Sequence, residues 1–248
     1  MIRIKTAGEI AKMRAAGRIV AEALDIVERL VAPGISTKAL EQAARAHIEK
    51  RGAKPSFLGY RGFPAAITVS VNDEIIHGIP GKRRLAEGDI VSVDIGAVKD
   101  GYHGDAARTF GVGEIDPAAK KLIDVTRECF YVGMSFARAG GRLFDVSGAV
   151  EQHAVASGFS VVREYIGHGV GAQLHEPPDV PNYKGKGRGV RLVPGMTFAL
   201  EPMVNAGRGD IHINDDGWTV ETADGSLSAH YENTILVTDG EPELLTVI

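Results

Sequence analysis

Apolar side chains recur every three or four positions between Ile10 and Leu30, which predicts a long amphipathic α-helix at the start of the chain. Thr6 and Glu9 form a capping box just before it, and Pro33-Gly34 lies just beyond its end. A second helix is predicted from about Ser36 to Arg51, because apolar residues again share one face. The chain therefore begins with two consecutive helices.

The pattern then changes to the alternation of strands. Residues 65–71 and the run DIVSVDIGAVKDGYHGDAARTF alternate in this way, with Asp100-Gly101 as the tight turn of a hairpin. Further strands are predicted in FSVVREYI, MTFALEP and NTILVTD, with another hairpin around Asp215-Asp216-Gly217. The segment PNYKGKGRG between these strands is polar and is predicted to be a loop.

The order of elements repeats in the second part of the chain. Asp116-Pro117 is a typical helix start, and it lies 110 positions after Thr6. The same offset aligns ALEQAARA at 39–46 with AVEQHAVA at 149–156. Chance similarity of alanine-rich helices is the alternative, and the shared order of elements favours a duplication. We predict one α/β domain over 1–248, with antiparallel strands lined by helices and with halves of roughly 1–112 and 113–248.

Composition limits the class of protein. A hydrophobic content of 44%, a charged content of 24% and a net charge of -4 are those of an ordinary globular chain without a general affinity for nucleic acid. A single cysteine, Cys129, excludes an internal disulfide and a cysteine-based zinc module. No long apolar stretch suggests a membrane span, and the N-terminus lacks the apolar core of a secretory signal. We therefore expect a cytoplasmic protein, and nothing demands more than a monomer.

Two aspartates on the predicted hairpin are the first candidates for chemistry. If Asp100-Gly101 forms a two-residue turn, Asp94 lies opposite Ala107 and diagonal to Asp105 on the same face, about 7 Å away at the backbone. Ionised carboxylates within apolar strands are costly unless another charge compensates them. A solvated position at a strand end would explain either aspartate alone, whereas the pair favours a shared cation.

Three further residues could complete a metal site. His168 lies in YIGHGVG, where the glycines would let the backbone pass close to a bound ion or substrate. Glu201 ends an apolar strand, and Glu232 precedes another. A buried carboxylate without a partner would shift its pKa or destabilise the fold, and metal ligation removes that conflict. The five residues together predict a dinuclear metal site.

Successive motifs along most of the chain resemble those of the methionine aminopeptidases. These motifs are VNDEIIHGIP, DIVSVDIGAVKDGYHGDAARTF, YIGHGVG, LHEPP, FALEP and LSAHYENTILVT. The short N-terminus without a cysteine-rich extension, and the lack of a long insertion, are similar to the bacterial type I class. The resemblance implies the pita-bread fold, in which two pseudo-symmetric halves enclose a central metal site, with a curved, mainly antiparallel sheet and helices on its outer face.

The resemblance also implies a reaction. Two divalent ions, of Mn, Fe, Co or Zn, would be held by Asp94, Asp105, His168, Glu201 and Glu232, with Asp105 and Glu232 bridging them. A hydroxide shared by the ions would attack the peptide bond after the initiator methionine of nascent proteins and peptides with a small second residue. Glu201 would shuttle the proton, His175 would stabilise the oxyanion, and His77 would orient the substrate peptide.

A dry pocket for the methionine side chain is implied as well. By motif match it is lined by Tyr60, Phe63 and Trp218. Phe57, Thr68 and Leu174 occupy neighbouring positions where familiar bacterial members often carry Cys, Cys and Phe, and this puts the fine specificity in doubt.

Other functions remain open at the level of sequence. A proline-specific aminopeptidase or dipeptidase of the same fold would use the same ligands, although such relatives usually carry an additional N-terminal domain. A binding protein of this fold would normally lack ligands, whereas all five are present here. Nascent polypeptide N-termini are the expected partners, together with a transient association with the ribosome.

Overall fold

Four α-helices contribute the outer layer of the protein. The computed structural model describes residues 1–248, and the helices are α1 (Ala7–Leu30), α2 (Thr37–Lys50), α3 (Pro117–Ser135) and α4 (Leu143–Ala156). Thr6 and Glu9 form the predicted capping box of α1, with the Thr6 amide donating to the Glu9 carboxylate at 2.8 Å. Ser36 caps α2, and Asp116 caps α3 with Pro117 in its first turn. None of the helices combines the length and the apolarity needed to cross a lipid bilayer.

Fifteen short strands, each paired only in the antiparallel direction, form the inner layer. They are β1 (Lys54–Pro55), β2 (Thr68–Val71), β3 (Glu74–Ile76), β4 (Ile90–Lys99), β5 (Tyr102–Gly111), β6 (Ser160–Val161), β7 (Gly167–Gly169), β8 (Glu176–Val180), β9 (Thr197–Leu200), β10 (Met203–Asn205), β11 (Ile211–Ile213), β12 (Val220–Thr222), β13 (Ser228–His230), β14 (Asn233–Leu236) and β15 (Glu243–Leu244). The predicted α/β class with antiparallel strands is confirmed.

The strands divide into two larger and two smaller sheets. One larger sheet has the order β1-β4-β2 with β5 also paired to β4, and the other has the order β15-β14-β9-β7-β8. The smaller sheets are β13-β10-β6 and β11-β12-β3. The first larger sheet thus comes from the first part of the chain, and the second from the remainder.

The β4–β5 hairpin has the register that the sequence predicts. Lys99 pairs with Tyr102 across Asp100 and Gly101, whose φ angles of 50° and 78° are those of a type I′ turn. Asp94 therefore lies opposite Ala107, and Asp105 lies opposite Gly96. The two aspartates share one face of the hairpin as diagonal neighbours.

Equivalent polar contacts tie the helices together in each part of the chain. His47 of α2 contacts Glu22 of α1 at 2.9 Å, and His153 of α4 contacts Glu128 of α3 at 3.0 Å. Both members of the second pair lie 106 positions after those of the first, as do both ends of α4 relative to α2. This recurrence supports the two related halves, and their grouping as one catalytic domain stays a prediction.

The helical alignment at an offset of 110 is therefore wrong for the second helix of each pair. It fits the starts of α1 and α3, but α3 has 19 residues where α1 has 24, so the next helix begins earlier. The match between ALEQAARA and AVEQHAVA pairs residues about one helical turn out of register.

Two predicted strands are shorter than the sequence suggests. In FSVVREYI only Ser160 and Val161 pair with β10, and the following residues leave the ladder to form a wall of the central cavity. In residues 65–71 only Thr68–Val71 pairs with β4. In both segments the unpaired residues lie next to residues that line this cavity.

Candidate active site

A cavity of about 280 Å³ lies between the two larger sheets. All of the residues that the sequence predicts for the site line it, namely Phe57, Tyr60, Phe63, Thr68, His77, Asp94, Asp105, His168, Leu174, His175, Glu201, Trp218 and Glu232. The remaining lining residues are Arg61, Ile76, Glu164, Tyr165 and Ile166. Residues far apart in the sequence thus converge on one cavity.

The candidate metal ligands come from both larger sheets. Asp94 and Asp105 project from the β4–β5 hairpin, and His168 lies in the middle of β7. Glu201 directly follows β9, and Glu232 directly precedes β14, which pairs with β9. Either half of the chain alone would hold only part of the set.

The ligating atoms are close enough to share ions. His168 Nε2 lies 3.5 Å from Glu201 Oε1 and 3.9 Å from Asp105 Oδ2. Single donor atoms of Asp105, His168 and Glu232 all lie within 4.8 Å of one another. This is a spacing at which several oxygen and nitrogen donors can surround one divalent cation.

Without a cation these carboxylates would not all be ionised near neutral pH. Burial raises the pKa of Asp94 to about 7, and burial together with the charges of Glu232 and Asp94 holds the pKa of Asp105 well above its usual range. Burial and neighbouring carboxylates likewise raise the pKa of Glu201 and of Glu232. A bound cation reverses this effect, because it favours the charged form of each carboxylate.

Unpartnered buried atoms show that the residues fit a metal ion. Eight buried side-chain polar atoms of the protein lack a hydrogen-bond partner. Five of them belong to this cluster, namely Asp94 Oδ1, Asp105 Oδ1, Glu201 Oε1, His230 Nε2 and Glu232 Oε1. Buried polar atoms of native proteins are almost always satisfied, so this concentration of free acceptors indicates a site for cations.

The Thr234 hydroxyl and a pair of backbone hydrogen bonds join the two halves of the site. The Asp105 amide donates to Thr234 Oγ1, and that hydroxyl donates back to the Asp105 carbonyl, both at 3.0 Å. Glu232 and Ala107 exchange backbone hydrogen bonds of 2.9 and 3.3 Å. The backbone of each carboxylate is thereby fixed to the opposite half, which holds the two ligands in a constant relation.

His168 has one ring nitrogen free to bind a metal. Its Nδ1 lies 3.0 Å from the Gly169 carbonyl, and we assign the proton to this nitrogen because a carbonyl can only accept. Nε2 then carries the lone pair that faces Asp105 and Glu201. A backbone partner that fixes the tautomer in this way is typical of metal-binding histidines.

The glycines beside His168 allow neighbouring strands to pack closely. A Cβ on Gly167 would lie 2.4 Å from the Ala199 carbonyl oxygen, and one on Gly169 would lie 2.3 Å from that of Pro177. They allow β7 to lie close to the backbone of the neighbouring β9 and β8.

Two neutral histidines stand beside the carboxylates. Partial desolvation and the neighbouring His168 lower the pKa of His175, and burial lowers the pKa of His77 to about 4. The His175 ring lies between two others, at 3.8 Å from the His168 centroid and stacked on Tyr60 at 5.2 Å. His77 is held in the left-handed region, at φ 61°, and meets the edge of Tyr165 at 5.5 Å.

An apolar cluster closes the end of the cavity. Phe57, Phe63 and Leu174 are buried there, with Tyr60 and Trp218 packed against them. The rings of Phe63 and Trp218 meet edge to face, at 5.2 Å and 75°. Thr68, which pairs with Asp94 in the β2–β4 ladder, is the polar member of this wall.

Glu164, Tyr165 and Ile166 form one wall of the cavity, and the sequence did not predict their place in the site. Their position is the signal that could have identified them, because Glu164 directly precedes the motif YIGHGVG and Tyr165 and Ile166 are its first two residues. His230 was not among the predicted site residues, but its ring lies beside the cluster of carboxylates, with Nε2 3.8 Å from Glu232 Oε2. His230 is the last residue of β13 and lies two positions before Glu232, and this closeness in the sequence is the signal that could have identified it.

Comparison with known proteins identifies the family. The model of metallopeptidase family M24 matches residues 11–239. A methionine aminopeptidase of Clostridium perfringens is 51% identical over 248 residues, covering 100% of both chains. This chain belongs to the methionine aminopeptidases of family M24. The methionine aminopeptidase of Thermotoga maritima has a crystal structure similar to it with a TM-score of 0.98, at 47% identity over 100% of both chains.

Membership of the methionine aminopeptidase family confirms the predicted enzyme class and the pita-bread fold. The chain is a metallopeptidase, so it binds divalent metal ions. A prolidase of Pyrococcus furiosus shares the fold with a TM-score of 0.80, but it is only 21% identical, and the match covers 65% of that longer chain. The full-length relatives named as methionine aminopeptidases therefore decide between the two activities in favour of methionine removal.

Proposed function

We propose that this aminopeptidase cleaves the initiator methionine from nascent proteins and peptides whose second residue is small, using two divalent ions. The observation that carries the proposal is the convergence of three buried carboxylates and the half-buried Asp94, all with an unpartnered oxygen, beside an apolar pocket. The cluster provides a place for cations, and the pocket provides a place for an unbranched apolar side chain.

Five residues would hold the ions. Asp94, Asp105 and Glu232 would bind one, while Asp105, His168, Glu201 and Glu232 would bind the other. When bound, divalent ions would lower the pKa of water so that it could attack a peptide carbonyl near neutral pH, and they would polarise that carbonyl. Carboxylate and imidazole donors suit Mn, Fe, Co and Zn.

Glu201 is proposed to move the proton. Its carboxylate lies at the boundary between the ligand cluster and the rest of the cavity, with Oε1 3.5 Å from His168 Nε2. Asn182 fixes its backbone by donating to the Glu201 carbonyl at 2.9 Å. A carboxylate held in this way can accept a proton from the attacking water and return it to the leaving amine, a role typically worth about 10²–10⁴-fold in rate.

His175 and His77 are proposed to bind the reacting peptide. Both rings are neutral near pH 7, because burial lowers their pKa. Each neutral ring carries one N–H group, and His175, next to His168, can donate it to the oxygen on which negative charge develops. His77, held by its backbone and by Tyr165, can orient the substrate peptide.

The apolar end is proposed to select methionine. Phe63 and Trp218 form one corner, and Tyr60, Phe57 and Leu174 close the sides with Thr68 nearby. Shape and transfer energy are the means of discrimination in such a pocket, at about 1–3 kcal/mol for each methylene group. The replacement of familiar pocket residues by Phe57, Thr68 and Leu174 affects the shape of the pocket and leaves the reacting groups unchanged.

The test is turnover after reconstitution with Mn, Fe, Co and Zn in turn, with bound metal measured on the same samples. We expect cleavage of Met-Ala-Ser with about two ions bound per chain, and little cleavage of Met-Lys-Ser, whose second residue is large. Preferential cleavage beside proline, with Met-Ala-Ser untouched, would reject the proposal. Full activity with one ion per chain would reject the dinuclear site alone.

The cellular setting is proposed on the same basis. An enzyme that acts on nascent chains would work in the cytoplasm, as a monomer in transient contact with the ribosome. Sedimentation of the chain alone and with purified ribosomes tests both parts, since a stable dimer or the absence of co-sedimentation at low salt contradicts one of them.

A further inference from the structure

His230 is a buried histidine whose side chain has no assigned role. It is 2% exposed, and its Nε2 is one of the buried atoms without a hydrogen-bond partner. Its backbone is fixed on both sides by Thr109, whose hydroxyl accepts from the His230 amide and donates to the His230 carbonyl, each at 2.9 Å. The backbone at His230 is therefore held in place, and the ring that it carries is buried.

Nε2 of His230 lies close to two carboxylates. It lies 3.8 Å from Glu232 Oε2 and 4.0 Å from Glu201 Oε2. A buried nitrogen without a partner is costly, and each of these two carboxylates has its other oxygen, Oε1, buried without a partner as well. A cation between them would satisfy both kinds of atom.

The donors form two sets of the same composition. One set is Asp94, His230 and Glu232, and the other is Asp105, His168 and Glu232. In each set the donor atoms lie within 4.8 Å of one another. Each contains one aspartate and one histidine, and they share Glu232.

We propose that His230 is a sixth metal ligand, which binds through Nε2 the ion held by Asp94 and Glu232. The inference rests on the proposed dinuclear site, and it changes the types of donor atom at one of the two ion positions. With carboxylates alone, that half would suit hard ions such as Mg²⁺ and Mn²⁺, whereas an imidazole donor suits Zn²⁺, Co²⁺ and Fe²⁺. His230 would give both ions the same kinds of donor.

The first test counts imidazole ligands in the unaltered chain. With two Co²⁺ or Zn²⁺ ions bound per chain, X-ray absorption should show an average of one imidazole per ion. If His168 alone were a ligand, the average would be half of that, and this result would overturn the proposal without any variant. Failure of the unaltered chain to bind two ions would instead count against the proposed dinuclear site.

The second test uses His230→Gln, with His47→Gln as the matched control on the helix α2, outside the cavity. His230→Gln should halve the average number of imidazole ligands per ion. It should also weaken the binding of the second ion by about tenfold or more in a calorimetric titration, because even residues that only contact the ligands alter metal affinity by about 10–100-fold. His47→Gln should change neither. An unchanged imidazole average and affinity in His230→Gln would show that the ring only packs against the site.

Discussion

Lys5 and Glu176 form a buried ion pair that ties the start of the chain to the segment carrying His175. Their side chains are only 3% and 6% exposed, and the Lys5 ammonium donates to the Glu176 carboxylate and to the Arg3 carbonyl. Glu176 follows His175 directly, and its second oxygen has no partner. The only cation that contacts this carboxylate is therefore the Lys5 ammonium.

Replacing Lys5 by Met keeps a chain of similar length and leaves Glu176 buried without its partner. Removal of one member of a buried pair typically costs about 3–5 kcal/mol. For a protein of this size each kcal/mol corresponds to roughly 2–4 °C in Tm. We therefore expect Tm to fall by roughly 6–20 °C, and the double variant Lys5→Met/Glu176→Gln to recover much of that loss because no charge stays buried.

Calorimetric melting of the metal-loaded chain measures this effect. The N-terminal segment that contains Lys5 also provides a control variant. Arg3→Met removes a pair with Glu9 whose arginine side chain is 57% exposed, so solvent already screens the interaction and Tm should hardly change. Equal Tm values for Lys5→Met and Arg3→Met would refute the argument. So would a double variant less stable than Lys5→Met.

Three further predictions concern the site. Asp105→Ala should abolish tight metal binding and turnover together, and near-normal activity in metal-buffered assays would contradict its assignment. Thr234→Val removes the hydroxyl that bridges the Asp105 amide and carbonyl, and should weaken metal binding by about 10–100-fold in calorimetric titration while circular dichroism stays unchanged. The metal-free chain should lose stability between pH 6.5 and 8 in melts with a chelator. Burial raises the pKa of Asp94 to about 7, so the folded state holds a proton there that the unfolded state has already lost, and stability falls as pH rises through that value. Histidines with lowered pKa values act in the opposite sense only below about pH 6.5, and Asp94→Asn should reduce the loss.

The hairpin shows how much of the site the sequence alone predicts. Asp100-Gly101 specifies a two-residue turn, and such a turn fixes the register, so the position of Asp94 opposite Ala107 follows from local rules. The residues of the second half could not be placed in the same way. His168 and Glu201 meet the hairpin only through long-range packing, and the resemblance to known motifs supplied that relation.

One error has a simple physical cause. Periodicity identifies helices but not their lengths relative to a repeat, so the shorter α3 displaced the alignment of α2 with α4. Composition also cannot say which protein atoms a glycine accommodates, and Gly167 makes room for the carbonyl of Ala199.

Asp94 and Asp105 both depend on the unbroken pairing of β4 with β5, which determines which insertions and deletions leave the site intact. Between Asp94 and the turn, insertion or loss of a single residue would reverse the face of one aspartate relative to the other. Added residues at the Asp100-Gly101 tip can be absorbed in a longer loop that leaves both strands in register. Variation in the length of this hairpin should therefore accumulate at its tip. Within the strands, a change by an odd number of residues should not be tolerated.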